Sequence, residues 1–363
     1  MNAFIRNYCS YPRIAKVIRK LESITSDYDC LVIKNDVSYF QSDRYIVPNE
    51  NINKIAFLAD GDIVTVDSRG VVFRLFSAEE NDATIYLTGH CNSNCVMCPC
   101  SDNERKLSEG LDDEWMQLYL AMLPSDLRHI IVTGGEPTLK LDTFMKVIKY
   151  IGKRFPNIDA LLLTNGRSLA YPRLADFLLQ NAPKNLIVGI PLHGDNQDLH
   201  DKITRARGSF QQTDLGIKNL LQRKMNVELR IVVTRLNLDN LYDITKRICR
   251  DYSTVKVVNF VGLETRGNCA VNLKDVYINY REVFEHSKMA IKVLIASGIE
   301  VGLYNFPLCM VDEGYWKLCK RSISPEKVRY TSQCITCSVR NICGGFFNTT
   351  LSMVKPGVNP INN

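Results

Sequence analysis

The sequence predicts an α/β fold with a partial (β/α)6 barrel at its centre, and two observations support this prediction. First, short runs of β-branched residues and leucine alternate with helical periodicity between about residues 82 and 261, which is typical of successive βα units. Second, a stretch of about 190 residues suits six such units better than the eight of a closed barrel. An open doubly wound sheet is the competing architecture, and in both folds ligands bind at the carboxyl ends of the strands.

The six predicted strands are short and apolar, and each is followed by a segment with helical spacing. They are Ala83–Leu87, His129–Thr133, Ala160–Thr164, Leu186–Ile190, Val227–Thr234 and Val255–Val261. After the second strand, an apolar stripe that includes Phe144, Val147 and Ile151 predicts an amphipathic helix. After the fourth, Ser209 and Gln212 have the spacing of a capping box, which predicts that a helix begins there.

The chain divides into four predicted parts, which differ in their residue patterns. They are a small β-containing N-terminal region (1–80), the TIM-like barrel core (81–270), a helix followed by a C-terminal cluster domain (271–354) and a tail (355–363). In the first part, alternating residues in Asp62–Val66 and Val71–Leu75 predict a hairpin. In the third part, the pattern predicts a helix at Val283–Ser297 and a strand at Glu300–Tyr304.

The composition excludes several classes of protein. With 45% hydrophobic and 23% charged residues, the chain resembles an ordinary globular protein rather than a disordered, collagen-like or coiled-coil one. The formal net charge of +6 is spread without a basic block, which fits an anionic cofactor or partner better than nucleic acid. No apolar run approaches the roughly 18 residues of a membrane span, and the N-terminus lacks a signal-peptide pattern. We therefore expect a cytoplasmic protein without a membrane segment.

Cysteine is the most informative residue type. The chain has 13 cysteines, an odd number, and we expect no export, so metal binding or redox chemistry is favoured over a disulfide framework. Nine of them fall in two crowded segments, and these are Cys91, Cys95, Cys98 and Cys100, then Cys309, Cys319, Cys334, Cys337 and Cys343.

The first crowded segment follows the first predicted strand directly. Cys91, Cys95 and Cys98 have the spacing C-x3-C-x2-C, and we refer to them as the cysteine triad. Three thiolates can hold three irons of a [4Fe–4S] cluster and leave the fourth iron open to an amine and a carboxylate. The alternative is a zinc site with Cys100 as fourth ligand, which requires two ligands one residue apart across Pro99.

The triad and a second motif resemble the radical S-adenosylmethionine (radical SAM) superfamily. In that family such a triad follows a strand, although Met97 here replaces the usual aromatic residue before the last cysteine. The next predicted strand ends in Gly134, Gly135, Glu136 and Pro137, which resembles the GGEP loop of the superfamily. The tetrapeptide alone is weak evidence. Its position at the end of the strand that follows the triad makes the resemblance to the superfamily specific.

The resemblance implies two cofactors and their chemistry. A [4Fe–4S] cluster on the triad would reduce S-adenosylmethionine to methionine and a 5′-deoxyadenosyl radical, which abstracts a hydrogen atom from the substrate. The loop of Gly134, Gly135 and Glu136 would bind the amino group of S-adenosylmethionine. Two glycines allow close approach of the main chain to a ligand, and a carboxylate suits an ammonium group.

The same resemblance implies further cofactor contacts at the ends of later strands. Asn165 would approach the adenosine, His193 would approach the ribose, and Arg205 would bind the carboxylate. Residues that remain less defined candidates are Arg207, Arg230, Arg235 and Glu264.

The C-terminal cysteines resemble an auxiliary cluster motif. Three of them have the spacing C-x2-C-x5-C, and they are Cys334, Cys337 and Cys343. A zinc site is the alternative from spacing alone. The spacing resembles part of the SPASM and twitch domains of radical peptide maturases, although Phe347 stands where a full SPASM domain has a further cysteine. The resemblance implies one auxiliary [4Fe–4S] cluster on these three residues and Cys309, with Cys319 as a spare ligand or a replacement for Cys309.

Three less specific similarities indicate which group of the superfamily the chain resembles, namely the His-Xaa-Ser system radical SAM maturase, HxsC type. They are His200-Asp201 with Gly208-Ser209-Phe210, the segment Asn305-Phe306-Pro307-Leu308-Cys309, and the Cys-Gly-Gly-Phe-Phe sequence after residue 342. This resemblance implies a ribosomally made precursor peptide as substrate, a second radical SAM protein as a partner, and an electron donor such as flavodoxin or ferredoxin. Two alternatives remain open, a radical enzyme that acts on a small molecule or tRNA and a non-catalytic metal-binding scaffold.

Overall fold

The computed structural model describes residues 2–4, 12–19, 27–34, 38–42, 44–47, 49–354 and 357–362. In this part of the chain 15 strands form one sheet, and two short strands form a second. The tail predicted for residues 355–363 lies partly outside the described residues. Among the helices of the described ranges, none has the length and apolar character required to cross a bilayer.

The N-terminal region is a mixed sheet with one helix. Its elements are β1 (Asn2–Phe4), β2 (Arg13–Ile18), β3 (Cys30–Ile33), β4 (Ser38–Phe40), β5 (Ile46–Val47), α1 (Asn49–Ile55), β6 (Ile63–Val66) and β7 (Val71–Ser77). The predicted hairpin is confirmed, because β6 and β7 pair antiparallel around the turn at residues 67–70. This sheet does not stop at the barrel, since β7 pairs antiparallel with the first barrel strand through Phe76 and Ser77.

The six predicted barrel strands are confirmed. They are β8 (Asp82–Tyr86), β9 (His129–Thr133), β10 (Asp159–Leu163), β11 (Asn185–Pro191), β12 (Asn226–Val232) and β13 (Val257–Val261). Each strand pairs in parallel with the next one along the chain. The strand order therefore has no reversal, whereas a doubly wound sheet reverses its order at a switch point. The open, sequential order agrees with a partial barrel.

The parallel sheet extends beyond the six strands that the sequence assigned to the barrel. The strand β14 (Glu300–Tyr304) pairs in parallel with β13, and β15 (Cys319–Lys320) pairs in parallel with β14. The strand at Glu300–Tyr304 is confirmed, but the sequence placed it after the barrel rather than within its sheet. The helix before it is confirmed as α11 (Tyr280–Ala296).

Helices follow the parallel strands along the chain. They are α2 (Asp102–Leu107), α3 (Asp113–Met122), α4 (Leu141–Arg154), α5 (Pro172–Asn181), α6 (Gln197–Thr204), α7 (Ser209–Gln222) and α8 (Leu241–Asp251), followed by α9 (Asn268–Val271) and α10 (Leu273–Val276) ahead of α11. The predicted stripe on α4 is buried in the main core, where Phe144, Val147 and Ile151 are at most 1% exposed. Burial of such stripes against the sheet is the main stabilising contribution of these helices.

The C-terminal region is short and irregular. Its regular elements are β16 (Val328–Arg329), β17 (Phe346–Phe347) and α12 (Leu351–Val354). The strands β16 and β17 pair antiparallel. Phe346 joins the main core, so this region packs on the end of the barrel.

The predicted capping box at α7 is wrong. The N-cap is Gly208, with a φ of 77°, and Ser209 is the first helical residue. The carboxylate of Asp201 instead accepts hydrogen bonds from Gly208 N (2.6 Å), Ser209 Oγ (2.8 Å) and Phe210 N (2.8 Å). Burial disfavours the charged form, but these hydrogen bonds outweigh it and lower the pKa of Asp201. The spacing rule failed because the cap comes from the preceding helix, seven residues upstream of Gly208.

Replacement of Asp201 should therefore destabilise the fold in a pH-dependent way. Asp201→Ala should lower the free energy of unfolding by about 1–2 kcal/mol, because three donors at a helix start lose their acceptor. A lowered pKa stabilises the folded state above the unfolded pKa of about 4, and this contribution is lost as the pH falls through the folded value. Urea unfolding at about pH 7 and below about pH 4 measures both effects. Asp198→Ala, an exposed change on the same helix, is the control, and equal effects of the two variants would contradict the role of Asp201.

Candidate functional site

The segment that carries Cys91, Cys95 and Cys98, which we call the cysteine loop, follows β8 at the carboxyl end of the parallel strands. Neighbouring helices fix its backbone. Asn94 N donates to Thr204 O and Val96 N donates to Ile203 O, both at 2.9 Å, so the loop is bonded to the end of α6. On the other side, Asn272 Nδ2 donates to Val96 O at 3.0 Å. These bonds hold the loop between two helical segments without using a cysteine side chain.

The thiol of Cys95 lies near enough to Cys91 and Cys98 for neighbouring thiols of the triad to affect one another's pKa. Burial raises the pKa of Cys91, and burial together with the neighbouring Cys91 raises the pKa of Cys95 to about 12. A hydrogen bond with Cys100, burial and the nearby Cys95 raise the pKa of Cys98. The thiols therefore keep their protons at neutral pH unless a cation replaces them, and binding of a metal cluster would release those protons. This donor set fits an iron–sulfur cluster.

Cys100 is adjacent to the triad rather than remote from it. Its hydrogen bond with Cys98 lowers the pKa of Cys100 to about 6, and Arg266 acts in the same direction. The fourth thiol of the zinc alternative is therefore within reach of Cys98.

The two glycines of the second motif allow it to pack on the cysteine loop. Gly135 N donates to Thr88 O at 2.6 Å, and Glu136 N donates to His90 O at 2.8 Å. A Cβ atom at Gly135 would lie 2.2 Å from Gly89 O, which no side chain can tolerate. From the sequence we expected the glycines to bring main chain close to a ligand. In the structure the backbone atoms nearest to them belong to the cysteine loop.

The side chain of Glu136 is completely buried. Its Oε1 accepts from Thr138 N (3.1 Å), Thr138 Oγ1 (2.7 Å) and Thr164 Oγ1 (2.8 Å), and its Oε2 accepts from Asn165 N (2.7 Å). A carboxylate has about four lone-pair positions, so these donors take most of its accepting capacity. Glu136 therefore joins the carboxyl ends of β9 and β10. The motif in the sequence gave no signal for the two threonines.

Asn165, the predicted adenosine contact, lies beside Cys91 of the triad. Its Nδ2 is 4.0 Å from Cys91 Sγ and donates to Asn92 Oδ1 at 2.6 Å. Two arginines that sequence reasoning missed also lie here. Arg105 donates to Ser93 O at 3.1 Å, and Arg167 donates to Ser93 Oγ at 3.2 Å. They belong to α2 and to a short 3₁₀ turn outside both motifs, so nothing in the motif pattern marked them. Their positive charge suits an anionic thiolate cluster.

His193 is buried at the end of β11, and its Nδ1 has no hydrogen-bond partner among the described residues. Burial, with a smaller contribution from His200, lowers the pKa of His193 well below its usual value. Burial also lowers the pKa of His200, to about 4, and the two ring centroids are 5.6 Å apart. Both rings are therefore neutral at pH 7. A buried ring nitrogen without a partner fits a polar ligand group at this position.

Arg205, the predicted carboxylate contact, lies at the end of α6 beside Asn272. It caps α6 with a φ of 51°, is exposed, and donates to Asn272 Oδ1 at 2.8 Å. No contact described for it reaches the triad. Arg207 is exposed, and Arg235 donates to Tyr277 O at 2.9 Å.

Two further candidates form ion pairs. Arg230 pairs with Glu228 at 2.7 Å and lies 5.2 Å from the ring centroid of Tyr304. Glu264 pairs with Lys327 at 3.3 Å, and only 11% of the Glu264 side chain is exposed.

Four of the C-terminal cysteines line one cavity. They are Cys309, Cys334, Cys337 and Cys343, the set that the resemblance implied. Burial and the other three thiols raise the pKa of Cys309 to about 12. Cys319 is not among the residues that line this cavity, although burial and the nearby Cys343 raise its pKa to about 12.

Backbone donors point at one of these sulfur atoms. Leu308 N and Gly345 N each lie 3.4 Å from Cys343 Sγ, and burial raises the pKa of this thiol against their effect. Thr331 Oγ1 lies 3.3 Å from Cys334 Sγ. Amide donors to sulfur stabilise thiolates that ligate iron–sulfur clusters, so the pocket fits such a group. In the described ranges, no three His, Cys, Asp or Glu side chains form a group that could hold a metal ion as they stand.

Residues 85–258 match the family model described as the radical SAM superfamily. This part of the chain, just under half of it, therefore matches the superfamily that the two motifs predicted. The superfamily implies a [4Fe–4S] cluster and S-adenosylmethionine as cofactors, and the match supports an enzymatic function.

Two curated relatives and one solved structure illustrate the range of similar proteins. The antilisterial bacteriocin subtilosin biosynthesis protein AlbA of Bacillus subtilis is 26% identical over 166 residues, which are 46% of this chain and 36% of AlbA. The GTP 3′,8-cyclase of Limosilactobacillus fermentum is 28% identical over 214 residues, which are 57% of this chain and 61% of the cyclase. The crystal structure of Streptococcus suis SuiB has a TM-score of 0.50 at 12% identity, over 69% of this chain and 54% of SuiB. That likeness shows the fold alone, and this chain spans 36 to 61% of the length of the two relatives.

Replacement of Glu136 should destabilise the protein itself. Glu136→Ala leaves buried donors from Thr138, Thr164 and Asn165 without an acceptor, so the free energy of unfolding should fall by about 3 kcal/mol. Glu136→Gln keeps the shape and one acceptor and should lose less. Chemical denaturation without cofactors measures this, with the exposed Glu114→Ala as control. A Glu136→Ala protein as stable as the parent that merely binds S-adenosylmethionine more weakly would contradict the structural role.

Proposed function

We propose that this radical SAM enzyme modifies a ribosomally made precursor peptide in a His-Xaa-Ser type system, as expected for an HxsC-type maturase. The observation that carries the proposal is the convergence of Cys309, Cys334, Cys337 and Cys343 on one cavity, because an auxiliary cluster is the part that resembles peptide maturases. The match to AlbA, which is named for the biosynthesis of a bacteriocin, also supports a peptide substrate.

The proposed cofactor site is centred on the triad, which would hold the [4Fe–4S] cluster that S-adenosylmethionine binds. When bound, these groups supply a 5′-deoxyadenosyl radical that abstracts a hydrogen atom from the substrate. The main chain at Gly134 and Gly135 is the proposed amino-group site. The carboxylate of Glu136 is the other group that the resemblance implied, but its burial and its hydrogen bonds to Thr138, Thr164 and Asn165 support a structural role instead. Asn165 and His193 are the proposed contacts to the nucleoside. Arg205 remains the predicted carboxylate ligand from the sequence, but its contact with Asn272 does not support that role.

The chain's own residues hold this site in place and protect it. Glu136 ties Asn165 to the end of β9, and Asn165 in turn contacts Cys91 and Asn92. Positive charge from Arg105 and Arg167 beside the loop offsets the negative charge of thiolate ligands. The protein thus contributes positioning and electrostatics, whereas the cofactors contribute the radical chemistry.

The auxiliary site is proposed to hold a second [4Fe–4S] cluster on the same four C-terminal cysteines. The amide donors from Leu308 and Gly345 to Cys343 support ligation by this thiolate. A second radical SAM protein and a flavodoxin or ferredoxin are the proposed protein partners, from the resemblance alone.

A nucleotide substrate is the second candidate function. The match to a GTP 3′,8-cyclase spans 57% of this chain, more than the match to AlbA. The test is anaerobic reconstitution followed by incubation with S-adenosylmethionine, dithionite and either a His-Xaa-Ser precursor peptide or GTP. A mass change in the peptide, with GTP unaltered, supports the proposal, whereas consumption of GTP with an unmodified peptide overturns it.

Replacement of single triad cysteines should abolish cleavage of S-adenosylmethionine, because the cluster loses a required thiolate. Cys95→Ala should form no deoxyadenosine above background, and its iron content should fall by about half if two clusters are present in the parent. Cys100→Ala is the matched control and should keep the cleavage rate. Loss of activity in Cys100→Ala, together with bound zinc in the parent, would instead favour the four-thiolate site.

Removal of the auxiliary ligands should separate the two cysteine sets. A variant with Cys334, Cys337 and Cys343 all changed to Ala should still form deoxyadenosine without substrate, because the triad lies elsewhere in the chain. It should no longer modify the peptide, whereas Cys319→Ala should remain active. Elemental analysis of the parent should give about eight irons and no zinc. About four irons and one zinc would contradict the auxiliary cluster, and the triple variant would then unfold with loss of the metal.

A further inference from the structure

A cavity of about 470 Å³ opens on the solvent side of the cysteine loop at Val96. Four cationic side chains line it, and they are Lys202, Arg205, Arg235 and Lys274. The lining contains one carboxylate, that of Asp275. We call this surface the cationic cavity.

The positive charge of the cationic cavity is not neutralised within the described part of the chain. All four cations are exposed, and none of them forms an ion pair with a described residue. Arg205 donates to the amide oxygen of Asn272, and Arg235 donates to the carbonyl oxygen of Tyr277, so both contacts are to neutral groups. Exposed like charges around a concavity create a local potential that attracts an anionic partner.

The position of the cavity connects it to the proposed cluster. Val96 lies between Cys95 and Met97, and its main chain bonds to Ile203 and to Asn272, of which Asn272 also lines the cavity. A partner seated on this surface would therefore contact the loop that carries the triad. Because electron transfer slows steeply with distance, this is a suitable place for an electron to enter.

The lining favours a protein partner over a small anion. A small-molecule site has convergent polar groups fixed in a pocket, whereas the charged groups here are all on exposed side chains. The side chain of Asn272 is already bonded to Val96 and Arg205. Encounters between electron-transfer proteins bury little surface and rely on charge to steer and orient the partner.

We propose that the cationic cavity is the docking surface for an acidic electron-transfer protein that reduces this enzyme. One electron would pass from the reduced carrier to the cluster that the triad would hold, and no atom would be transferred. The inference rests on the proposed radical SAM function. It reassigns Arg205 from the cofactor carboxylate to the outer surface of the loop.

A second cationic surface provides the competing entry point. A cavity of about 420 Å³ at Cys337 is lined by Arg321 and Arg340, which are both exposed. It lies at the proposed auxiliary cluster rather than at the triad. Charge reversal at each surface therefore distinguishes entry at the triad from entry at the auxiliary site.

The test uses the full chain with flavodoxin as the acidic probe. The Lys202→Glu, Lys274→Glu double variant should raise the Kd for flavodoxin at least about 10-fold at low salt, and the difference should shrink at about 0.5 M salt. The rate at which reduced flavodoxin reduces the cluster, measured as the loss of the cluster's colour, should fall by a similar factor. Reduction by photoreduced deazariboflavin, which is small and uncharged, should stay within about twofold, because it does not depend on docking. The Arg321→Glu, Arg340→Glu double variant is the control and should match the parent in all three measurements.

Each other result overturns the proposal. Docking at the cationic cavity is contradicted if the parent does not bind flavodoxin or if the Lys202→Glu, Lys274→Glu variant binds it as tightly as the parent. It is also contradicted if only the Arg321→Glu, Arg340→Glu variant binds flavodoxin more weakly. Weakened binding of the precursor peptide instead of flavodoxin assigns the surface to the substrate. Melting temperatures measure whether the variants fold. If the Lys202→Glu, Lys274→Glu variant does not fold, the Lys202→Gln, Lys274→Gln variant replaces it. Because binding is measured without S-adenosylmethionine, failure of the proposed peptide modification would leave this result unaffected.

Discussion

The geometry of the candidate site depends on the buried carboxylate of Glu136. Four donors from Thr138, Thr164 and Asn165 converge on it, so it connects the carboxyl ends of β9 and β10. The main chain of the same residue bonds to the cysteine loop at His90. One residue thus sets the relative positions of the triad, the glycine loop and Asn165. A buried, fully hydrogen-bonded charge can do this because any displacement leaves it unpaired in a medium of low polarity.

Local patterns predicted those parts of the fold that depend on local interactions. The six barrel strands, the stripe on α4 and the triad are each defined by spacing within one short segment, and the first two are confirmed. Properties that depend on distant residues could not be predicted. Asp201 caps α7 from another helix, β14 joins the sheet through a pairing that no pattern in Glu300–Tyr304 specifies, and Arg105 reaches the cysteine loop from outside both motifs. The inward orientation of Glu136 was missed for the same reason.

The two cysteine sets are stabilised differently. The triad lies on a loop that is held by backbone bonds to α6 and by a hydrogen bond from the Asn272 side chain. The C-terminal set lies in an irregular region with short strands, where Cys334 and Cys343 are themselves part of apolar clusters. In both sets burial raises thiol pKa values, so metal uptake is linked to proton release and becomes less favourable in acid.

The pairing of β7 with β8 makes the N-terminal region part of the barrel's own structure. Ile14, Ile63 and Phe76 belong to the same apolar core as the barrel strands. A chain shortened to begin at β8 would expose that strand's hydrogen-bonding groups along an open edge next to apolar surface that Phe76 had covered. Such edges recruit strands from other molecules, so the shortened protein would tend to self-associate as ribbons. By covering this edge, the N-terminal region therefore protects the barrel against aggregation.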